Sequence, residues 1–349
     1  MKILHNVPLC VRTSFGTGGP AEVVVVVQDS SEVLDALQHA TKPLWFLGSG
    51  ANSLISDDGL NGTVIQLQTT EITQDGDVLI ADGGVNWDDL VQKSIALKKW
   101  GLERTSGIPG SVSAAVVGNI AAYGQAVADT LAWVEVVDTN ESMPEIKKML
   151  AKDLGLEYRN SKFQTKKMQS LLIIRAAFKL QDKPEPLTYA SAAKIADELK
   201  LNPNDLNQRR KIILEARKRI GSLLEGKNKS LKTAGSFFRN PMVSEEQAEK
   251  LMSFEERGIN YEAIKKQNLA HGGSSKRVSA AHVLLAAGFK RGQSWGHVRL
   301  HPDHILKIEN TGDASSQDIY DVAQEIIKTV KEDLGIDLKP EVRFLGHFE

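Results

Sequence analysis

The first part of the chain alternates apolar runs with short polar or glycine-rich breaks. A valine-rich run at 22–27 predicts a buried strand, and the helix that follows is expected to begin at Ser30 or Ser31. Two further apolar runs, LWFLG at 44–48 and GTVIQL at 62–67, predict strands on either side of a glycine-rich turn. This order is typical of a β-α-β unit. The predicted helix carries four apolar residues on one face: Val33, Leu34, Leu37 and Ala40.

Short apolar segments continue through residues 68–181, and most have the length and β-branched content of strands. They are DVLIADG at 77–83, LAWVEVVD at 131–138 and SLLIIRAAFKL at 170–180. One amphipathic helix is predicted at 86–99, and a stretch of small residues and glycines covers 107–124. This mixture of strands and helices predicts an α+β architecture.

Two helices are the clearest elements of the C-terminal half. At 206–220 apolar residues recur at helical spacing, and the arginines and lysines between them predict a basic face that is solvated or turned toward a nucleotide phosphate. In the last helix Ser315 and Asp318 match a capping box, and Gly335 stands where a C-terminal cap is expected. The segment IDLKPEVRFLG at 336–346 then predicts a final strand.

The composition is that of a soluble globular protein of 349 residues, of which 41% are apolar and 25% charged. Lys and Arg number 43 against 44 Asp and Glu, so the charge balance gives no reason to expect nucleic acid as a partner. The single cysteine, Cys10, excludes an intramolecular disulfide and a cysteine-based metal site. Because no apolar run reaches the roughly 18 residues of a membrane span and no signal peptide is apparent, we expect a cytoplasmic protein.

Two glycine-rich stretches are candidates for binding a phosphate-bearing cofactor. They are GSGANSL at 48–54 and SGIPGSVSAA at 106–115, and TGGP at 17–20 precedes the first long strand. Glycine permits positive φ angles and lets backbone N–H groups approach an anion closely. Neither stretch matches GxGxxG or GxxxxGK[ST], and either one alone is equally well explained as a tight turn. Two such stretches in one chain favour a dinucleotide.

Two polar residues in apolar surroundings are candidates for proton transfer. Ser236 lies in GSFFRNP, where it is either a proton donor or a turn hydroxyl. Glu341 lies in PEVRFLG, where it is either a catalytic carboxyl group or a partner for Lys339 or Arg343. No GxSxG surrounds Ser236, so the sequence does not support a serine hydrolase.

Three histidines, His297, His301 and His304, raise the hypothesis of a metal site. Pro302 interrupts their segment, which favours β structure over a helix. Asp303 is the only acidic residue beside them, so we expect no metal.

Taken together, the motifs resemble one family, the UDP-N-acetylenolpyruvoylglucosamine reductases of bacterial cell-wall synthesis. The match begins with NVPL and TSFGTGGPAE near the N-terminus and runs in the family's order over nearly the whole chain. It continues through GSGANSLISDDGLNGTVI, GLERTSGIPGSVSAAVVGNIAAYG, EYRNSKF, AGSFFRNP and PEVRFLG. Ordered agreement over this length is far more specific than any single motif. The segment LTYASA around Tyr189 resembles the extra loop of the family's first type.

The resemblance implies an α+β fold with an FAD-binding part of the vanillyl-alcohol-oxidase (PCMH) type and a C-terminal α+β substrate domain. Residues 1–67 would form the first FAD-binding part, completed by the C-terminal strand at 335–349. Residues 68–220 would form the second FAD-binding part, and residues 221–334 would bind the substrate.

It also implies NADPH-dependent, FAD-mediated reduction of UDP-N-acetylglucosamine enolpyruvate to UDP-N-acetylmuramate, a peptidoglycan precursor. FAD would be the cofactor, NADPH the co-substrate and a UDP-sugar the ligand, with no metal, nucleic acid or membrane partner, in a monomer or weak homo-oligomer. Two alternatives stay open: another FAD-dependent sugar or alcohol oxidoreductase of the same superfold, and a non-catalytic flavin- or UDP-sugar-binding protein.

Carried over by position, the resemblance assigns three groups of site residues. Arg159 and Glu341 would stabilise a developing aci-carboxylate, and Ser236 would protonate the carbanionic carbon. The substrate-binding set is Tyr189, Arg217 and Asn240. The flavin-binding set is Gly48, Gly50, Ala51, Asn52, Ser53, Gly107, Ile108, Gly110, Ser111, Asn119, Tyr123 and Gly124.

The sequence departs from the family pattern at a few of these motifs while keeping all three catalytic residue types. Ala51 stands where a serine is usual, and Gly118 where a glutamine is usual. Ile220 occupies the position of a lysine that follows the arginine matched by Arg217.

Overall fold

The computed structural model describes residues 1–223, 231–252 and 277–349, and contacts within this part of the chain group it into two units. The first unit comprises Met1–Val7, Ala21–Ala51 and Leu60–Arg219. The second unit comprises Pro8–Pro20, Asn52–Gly59 and Ile220–Glu349. Two segments of the predicted C-terminal domain, 224–230 and 253–276, lie outside the described residues. The three-part domain division expected from the sequence stays a prediction.

Short strands and helices alternate along the described chain. The strands are β1 (Lys2–Pro8), β2 (Pro20–Val27), β3 (Leu44–Phe46), β4 (Ser53–Ile55), β5 (Leu60–Leu67), β6 (Ile72–Asp75), β7 (Val78–Asp82), β8 (Ala121–Ala122), β9 (Gln125–Ala126), β10 (Leu131–Asp138), β11 (Ile146–Leu150), β12 (Leu171–Lys179), β13 (Ser294–Trp295), β14 (Val298–His301), β15 (His304–Asn310) and β16 (Arg343–Leu345). The helices are α1 (Val33–Gln38), α2 (Trp87–Ala96), α3 (Val112–Gly118), α4 (Ala190–Leu199), α5 (Leu206–Arg219), α6 (Glu245–Met252), α7 (Ala280–Ala286) and α8 (Ser316–Leu334). None of these helices is long and apolar enough to cross a bilayer.

The first sheet of the first unit has the strand order β1-β2-β5-β3. β2 and β3 both pair with β5 in parallel, as the predicted β-α-β order requires. The valines at 24–27 are almost completely buried, because strands of a parallel sheet are usually covered on both faces. The valine-rich run therefore forms the strand predicted for it.

The second sheet of the first unit is antiparallel and has the strand order β11-β10-β12-β7-β6. Helices α2 and α3 pack on it through a core that includes Trp87 and Phe178, whose rings meet edge to face at 5.7 Å. The indole of Trp87 also donates a hydrogen bond to Thr105 Oγ1 at 3.0 Å. This core therefore supports the segment that leads into the second glycine-rich stretch.

Helices α4 and α5 pack on each other in the first unit. Their shared core contains Ala192 and Ile195 from α4, and Ile212, Ile213 and Ala216 from α5. The apolar stripe predicted for α5 is thus buried. Ile220, at the predicted end of the stripe, is instead exposed.

The second unit is built around α8 and the three-stranded antiparallel sheet β13-β14-β15. Helix α8 has the predicted capping box between Ser315 and Asp318, and Gly335 closes it in the left-handed conformation at φ +69°. The final strand, Arg343–Leu345, is shorter than predicted and pairs in parallel with β4. The preceding residues Ile336 and Leu338 are buried in the core of the unit, so their apolar character reflects packing outside a strand.

Candidate functional site

The first glycine-rich stretch connects β3 to β4, and its first residue meets the second stretch. A Cβ atom on Gly48 would lie 2.7 Å from Ser111 Oγ, so any larger residue here would displace the side chain of Ser111. The carbonyl of Gly48 accepts a hydrogen bond from Gln66 Nε2 at 3.0 Å, and Gly50 has a φ angle of +68°. The two glycine-rich stretches singled out in the sequence are therefore neighbours within the first unit.

The second stretch leads into α3 and contains two glycines in conformations that other residues rarely adopt. Gly107 and Gly110 have φ angles of +72° and +139°, and a Cβ on Gly110 would meet no atom within 4 Å. Ser111 caps α3 by accepting a hydrogen bond from Ala114 N, and Ile108 packs against the core of the unit. Slim backbone beside open space is the arrangement that a dinucleotide pyrophosphate requires, so these residues fit FAD.

The residues after α3 form a tight hairpin. Tyr123 and Gly124 connect β8 to β9 with φ angles of +50° and +78°, the signature of a type I′ turn. Asn119 ends α3 in the left-handed conformation, and its side chain donates to Glu157 O and accepts from Ala128 N. The Asn119 amide therefore supports the chain around the candidate flavin-binding residues.

Arg159 stands at the tip of a two-residue turn. Glu157 and Asn160 exchange backbone hydrogen bonds at 3.0 and 3.1 Å around it, and Arg159 has a φ angle of +52°. Gln164 Nε2 donates to both Arg159 O and Val117 O, which fastens the turn to the end of α3. A non-glycine residue in this conformation is strained, and such strain is typical of functional positions.

Arg159, Arg217, Tyr123 and Tyr189 form the charged and aromatic part of the candidate site in the first unit. The rings of Tyr123 and Tyr189 meet edge to face at 5.3 Å. Burial raises the pKa of Tyr123 to about 12, although the positive charge of Arg217 opposes the shift. Burial also raises the pKa of Tyr189, so both phenols stay protonated at neutral pH.

Arg217 is held in a desolvated position on α5. Burial lowers the pKa of its guanidinium group, and the charge of Arg159 lowers it further, while Tyr123 and Asp88 oppose the shift. An arginine nevertheless stays charged in proteins, so the shift describes a cation that has lost water. Together with the neighbouring charge of Arg159, this cation makes this part of the first unit suited to an anionic ligand.

Ser236 and Glu341 lie on facing backbone segments of the second unit. Glu341 N donates to Phe237 O at 2.7 Å, and Ser236 forms an isolated bridge with Lys307. Phe237 is fully buried and packs against Phe238 at 5.1 Å between ring centres. These backbone contacts bring the segment that carries the serine next to the segment that carries the carboxyl group, and the roles of the two side chains stay predictions.

The remaining sequence candidates have structural contacts of their own. Asn240 accepts a hydrogen bond from Ala280 N at 2.9 Å, at the start of α7. Asn52 donates to Glu341 O at 3.0 Å, and Ser53 begins β4. Contacts place Asn52 and Ser53 in the second unit, whereas Ala51 and the two preceding glycines belong to the first.

Two of the three histidines lie in strands of the second unit's sheet, and His297 lies in the turn between β13 and β14. His301 ends β14 and His304 begins β15, and burial lowers the pKa of His304 to about 4. Among the residues that the structure describes, no group of three or more His, Cys, Asp or Glu side chains is arranged to hold a metal ion.

The prediction that the basic residues of α5 face solvent or a nucleotide phosphate is wrong for Arg209 and Arg210. Arg209 is fully buried, donates to Glu103 Oε1 at 3.1 Å and lies 4.6 Å over the ring of Trp100. Arg210 pairs with both oxygens of Asp88 at 2.7 Å. One signal in the sequence pointed to the first of these: Arg209 precedes the apolar positions 212, 213 and 216 at spacings of three, four and seven, which places it on the buried face.

Two family models match the chain. The C-terminal domain of UDP-N-acetylenolpyruvoylglucosamine reductase matches residues 227–345, and an FAD-binding domain matches residues 21–146. A structure of UDP-N-acetylenolpyruvylglucosamine reductase from Thermus caldophilus shares the fold, with a TM-score of 0.66 at 24% identity over 99% of this chain and 98% of that one. The predicted α+β fold with an FAD-binding part and a C-terminal α+β domain is confirmed.

Curated relatives cover nearly the whole chain. UDP-N-acetylenolpyruvoylglucosamine reductase of Streptomyces avermitilis is 30% identical over 98% of this chain and 95% of its own length. The enzyme of the same name from Saccharopolyspora erythraea is 32% identical over 95% of this chain and 93% of its own length. The chain therefore belongs to the UDP-N-acetylenolpyruvoylglucosamine reductase family.

Proposed function

We propose that this chain reduces UDP-N-acetylglucosamine enolpyruvate to UDP-N-acetylmuramate with NADPH and bound FAD, in the synthesis of peptidoglycan precursors. Family membership along the full length supports this activity and this cofactor. The structural observation that carries the proposal is the grouping of Arg159 and Arg217 with Tyr123 and Tyr189. Two neighbouring guanidinium groups suit a substrate that bears both a diphosphate and a carboxylate.

For the cofactor, we propose the residues of both glycine-rich stretches and of the hairpin after α3. The close approach of Gly48 to Ser111 and the open space beside Gly110 support this choice. The proposed set is Gly48, Gly50, Ala51, Asn52, Ser53, Gly107, Ile108, Gly110, Ser111, Asn119, Tyr123 and Gly124. When bound, FAD supplies a carrier for the hydride that NADPH donates and the enolpyruvyl methylene carbon accepts.

Reduction of the enolpyruvyl group pushes negative charge into the substrate carboxylate, and we assign the stabilisation of that charge to Arg159 and Glu341. A guanidinium group is permanently cationic and offers paired donors to a carboxylate. The carboxyl group of Glu341 is assigned a further hydrogen bond to the same substrate carboxylate. Hydrogen-bond donors of this kind accelerate a reaction because their hydrogen bonds to the substrate become stronger as negative charge develops in the transition state.

Ser236 is proposed to deliver the proton that completes the product. The buried rings of Phe237 and Phe238 beside it support the assignment, because an apolar setting excludes water from the carbanionic carbon. The proton moves from Ser236 Oγ to that carbon, and the side of delivery fixes the stereochemistry of the product.

Tyr189, Arg217 and Asn240 are proposed to hold the UDP-sugar. The desolvated guanidinium of Arg217 supports a diphosphate contact, and the protonated phenol of Tyr189 supports a hydrogen bond to the same group. We also propose that the enzyme works in the cytoplasm as a monomer or weak homo-oligomer. Its single cysteine is consistent with a reducing compartment.

The visible spectrum of the purified protein tests the proposed function. Flavin absorbance should bleach with NADPH in the absence of oxygen and return when the enolpyruvyl substrate is added. A protein that takes up no flavin after incubation with FAD, or whose reduced flavin is not reoxidised by that substrate, would contradict the proposal.

A further inference from the structure

We infer that Asp88 and Arg210 are positioning residues that connect the Gly107 segment to α5, so that flavin binding and the placement of Arg217 depend on one another. This inference rests on the proposed function, because it assumes that Gly107 contacts the flavin and that Arg217 contacts the substrate. Neither Asp88 nor Arg210 is assigned a contact with either ligand.

The carboxylate of Asp88 joins two separate parts of the first unit. Its Oδ1 atom accepts hydrogen bonds from Gly107 N at 2.6 Å and from Arg210 Nη1 at 2.7 Å. Its Oδ2 atom accepts from Arg210 Nη2 at 2.7 Å. One side chain thus holds the backbone of the second glycine-rich stretch and a planar arginine fork on α5.

The pair is stronger than an ordinary surface ion pair. The side chains of Arg210 and Asp88 are only 18% and 22% exposed. Burial alone would raise the pKa of Asp88, but the hydrogen bonds from Arg210 and Gly107 outweigh it and hold the pKa below its usual value. The ionised carboxylate is therefore the form that the surrounding groups stabilise at neutral pH.

Arg210 and Arg217 lie on the same face of α5. They are seven residues apart, which corresponds to about two helical turns and a rise of about 10 Å. The charge of Asp88 also acts on Arg217 and opposes the lowering of its pKa. A displacement of α5 at Arg210 is therefore transmitted along a rigid helix to Arg217.

A second contact fixes the rotation of the same helix. Buried Arg209 binds Glu103, which also accepts a hydrogen bond from Gly101 N at 2.8 Å. Glu103 lies four residues before Gly107, in the segment that leads into the second glycine-rich stretch. Two adjacent arginines thus connect α5 to the segment 103–107. Arg209 does so through Glu103, and Arg210 does so through Asp88, which binds the backbone of Gly107.

The test replaces Arg210 by methionine, which keeps an unbranched apolar stem and removes the guanidinium fork while the hydrogen bond from Gly107 N to Asp88 remains. We expect Arg210→Met to raise the KM for the UDP-sugar about tenfold with kcat changed less than about threefold, since misplacing a binding group by an ångström can cost up to about a hundredfold. The Kd of the apoprotein for FAD, measured by flavin fluorescence, should rise at least about threefold. The matched control is Lys99→Met, because Lys99 is 17% exposed and also binds two carboxylates, those of Asp77 and Asp182, which lie outside α5 and the second glycine-rich stretch.

A double-mutant cycle separates positioning from general stability. If Arg210→Met has already displaced α5, Arg217→Lys should raise KM by a smaller factor in that background than in the parent protein. If the two substitutions act independently, the factors by which they raise KM should multiply. Arg210→Lys, which keeps the charge but loses the fork, should give an intermediate KM and serves if Arg210→Met does not fold. Unchanged KM and FAD affinity in Arg210→Met, multiplicative effects, or equal changes in Lys99→Met would each overturn the inference.

The inference and the proposed function fail in different ways. An unaltered protein that binds FAD but does not turn over the UDP-sugar would contradict the proposed function, while the ratio of FAD affinities between Arg210→Met and Lys99→Met would still decide the inference. An active parent protein with an unaffected Arg210→Met variant would contradict the inference alone.

Discussion

At the scale of single residues, the proposed chemistry depends on side chains whose backbone is held by other contacts. Glu341 N donates to Phe237 O, and Glu341 O accepts from Asn52 Nδ2. Ser236 is likewise fixed through its bridge to Lys307. Substitutions of these two side chains should therefore leave the local backbone in place, and their effects report on chemistry.

We expect Ser236→Ala to lower overall turnover by at least about a hundredfold, because the product carbon loses its proton donor. Reduction of the flavin by NADPH should stay near the parent rate. Ser236→Cys, which keeps an ionisable proton at this position, should recover part of the turnover. Rapid-mixing and steady-state rates measure both steps, and an alanine variant within about tenfold of the parent, about 1.4 kcal/mol, would remove Ser236 from the mechanism.

Glu341→Ala should slow reduction of the UDP-sugar by about 10² to 10³, the usual cost of losing one preorganised donor to developing charge. Glu341→Gln keeps a neutral donor at the same place and should retain more of the rate. The half-reaction with NADPH provides the internal control. Equal losses in both half-reactions, or a glutamine variant no better than alanine, would point to a structural role.

At the scale of elements, the two glycine-rich stretches lie so close together that an added methyl group on one would meet the other. A methyl group on Gly48 would collide with Ser111 Oγ at 2.7 Å, whereas one on Gly118 would meet Ile120 at an ordinary 3.6 Å. We expect Gly48→Ala to weaken FAD binding at least about tenfold, because moving Ser111 misplaces the start of α3. Titration of the apoproteins with FAD measures this, with Gly118→Ala as the control. Parent-like affinity in Gly48→Ala would show that the stretch tolerates the displacement.

Elements specified by local pattern were predictable, and those specified by distant partners were not. The capping box of α8 needs only Ser315, Asp318 and Gly335, and it forms as the sequence indicates. The helical spacing of α5 places Arg209 on the buried face, but its partner Glu103 is 106 residues away and no local pattern identifies that partner. The same limit applies to Asp88, whose role depends on the fold bringing Gly107 and α5 together.

The candidate site also contains residues that the sequence identified and contacts that it did not. Gly48 and Ser111 were identified as members of glycine-rich stretches, and the structure brings them together. The residue types of Arg159 and Ser236 were identified through ordered motifs, since neither residue is distinctive by itself. Hydrogen bonds of Asn119 and Asn240 to the backbone had no signal in the sequence, because any polar side chain near a turn or helix start can form them.

At the scale of the whole molecule, His304 is among the histidines whose pKa is lowered by burial, and such groups make stability depend on pH. The pKa of His304 is lowered to about 4 by burial, against about 6.5 in an unfolded chain. As the pH falls from about 6.5 to 4, the unfolded chain binds a proton that the folded chain does not, so the free energy of unfolding should fall by up to about 3 kcal/mol. His304→Gln should flatten this dependence in urea titrations at pH 7.5 and 4.5. His5→Gln, at an exposed position of β1, should not, and a parent-like slope in His304→Gln would contradict the assignment.

The pairing of β4 with β16 also has a consequence for how the protein is made. The two strands lie at opposite ends of the chain, with Asn52 and Glu341 separated by 289 residues. At the usual pace of translation, β4 waits roughly 15–60 s for its partner to be synthesised. During that time Leu54, which is fully buried in the finished unit, has no completed core around it. The nascent chain therefore carries the apolar β4 segment without its partner until β16 has been synthesised, and the second unit becomes able to fold only after β16 leaves the ribosome.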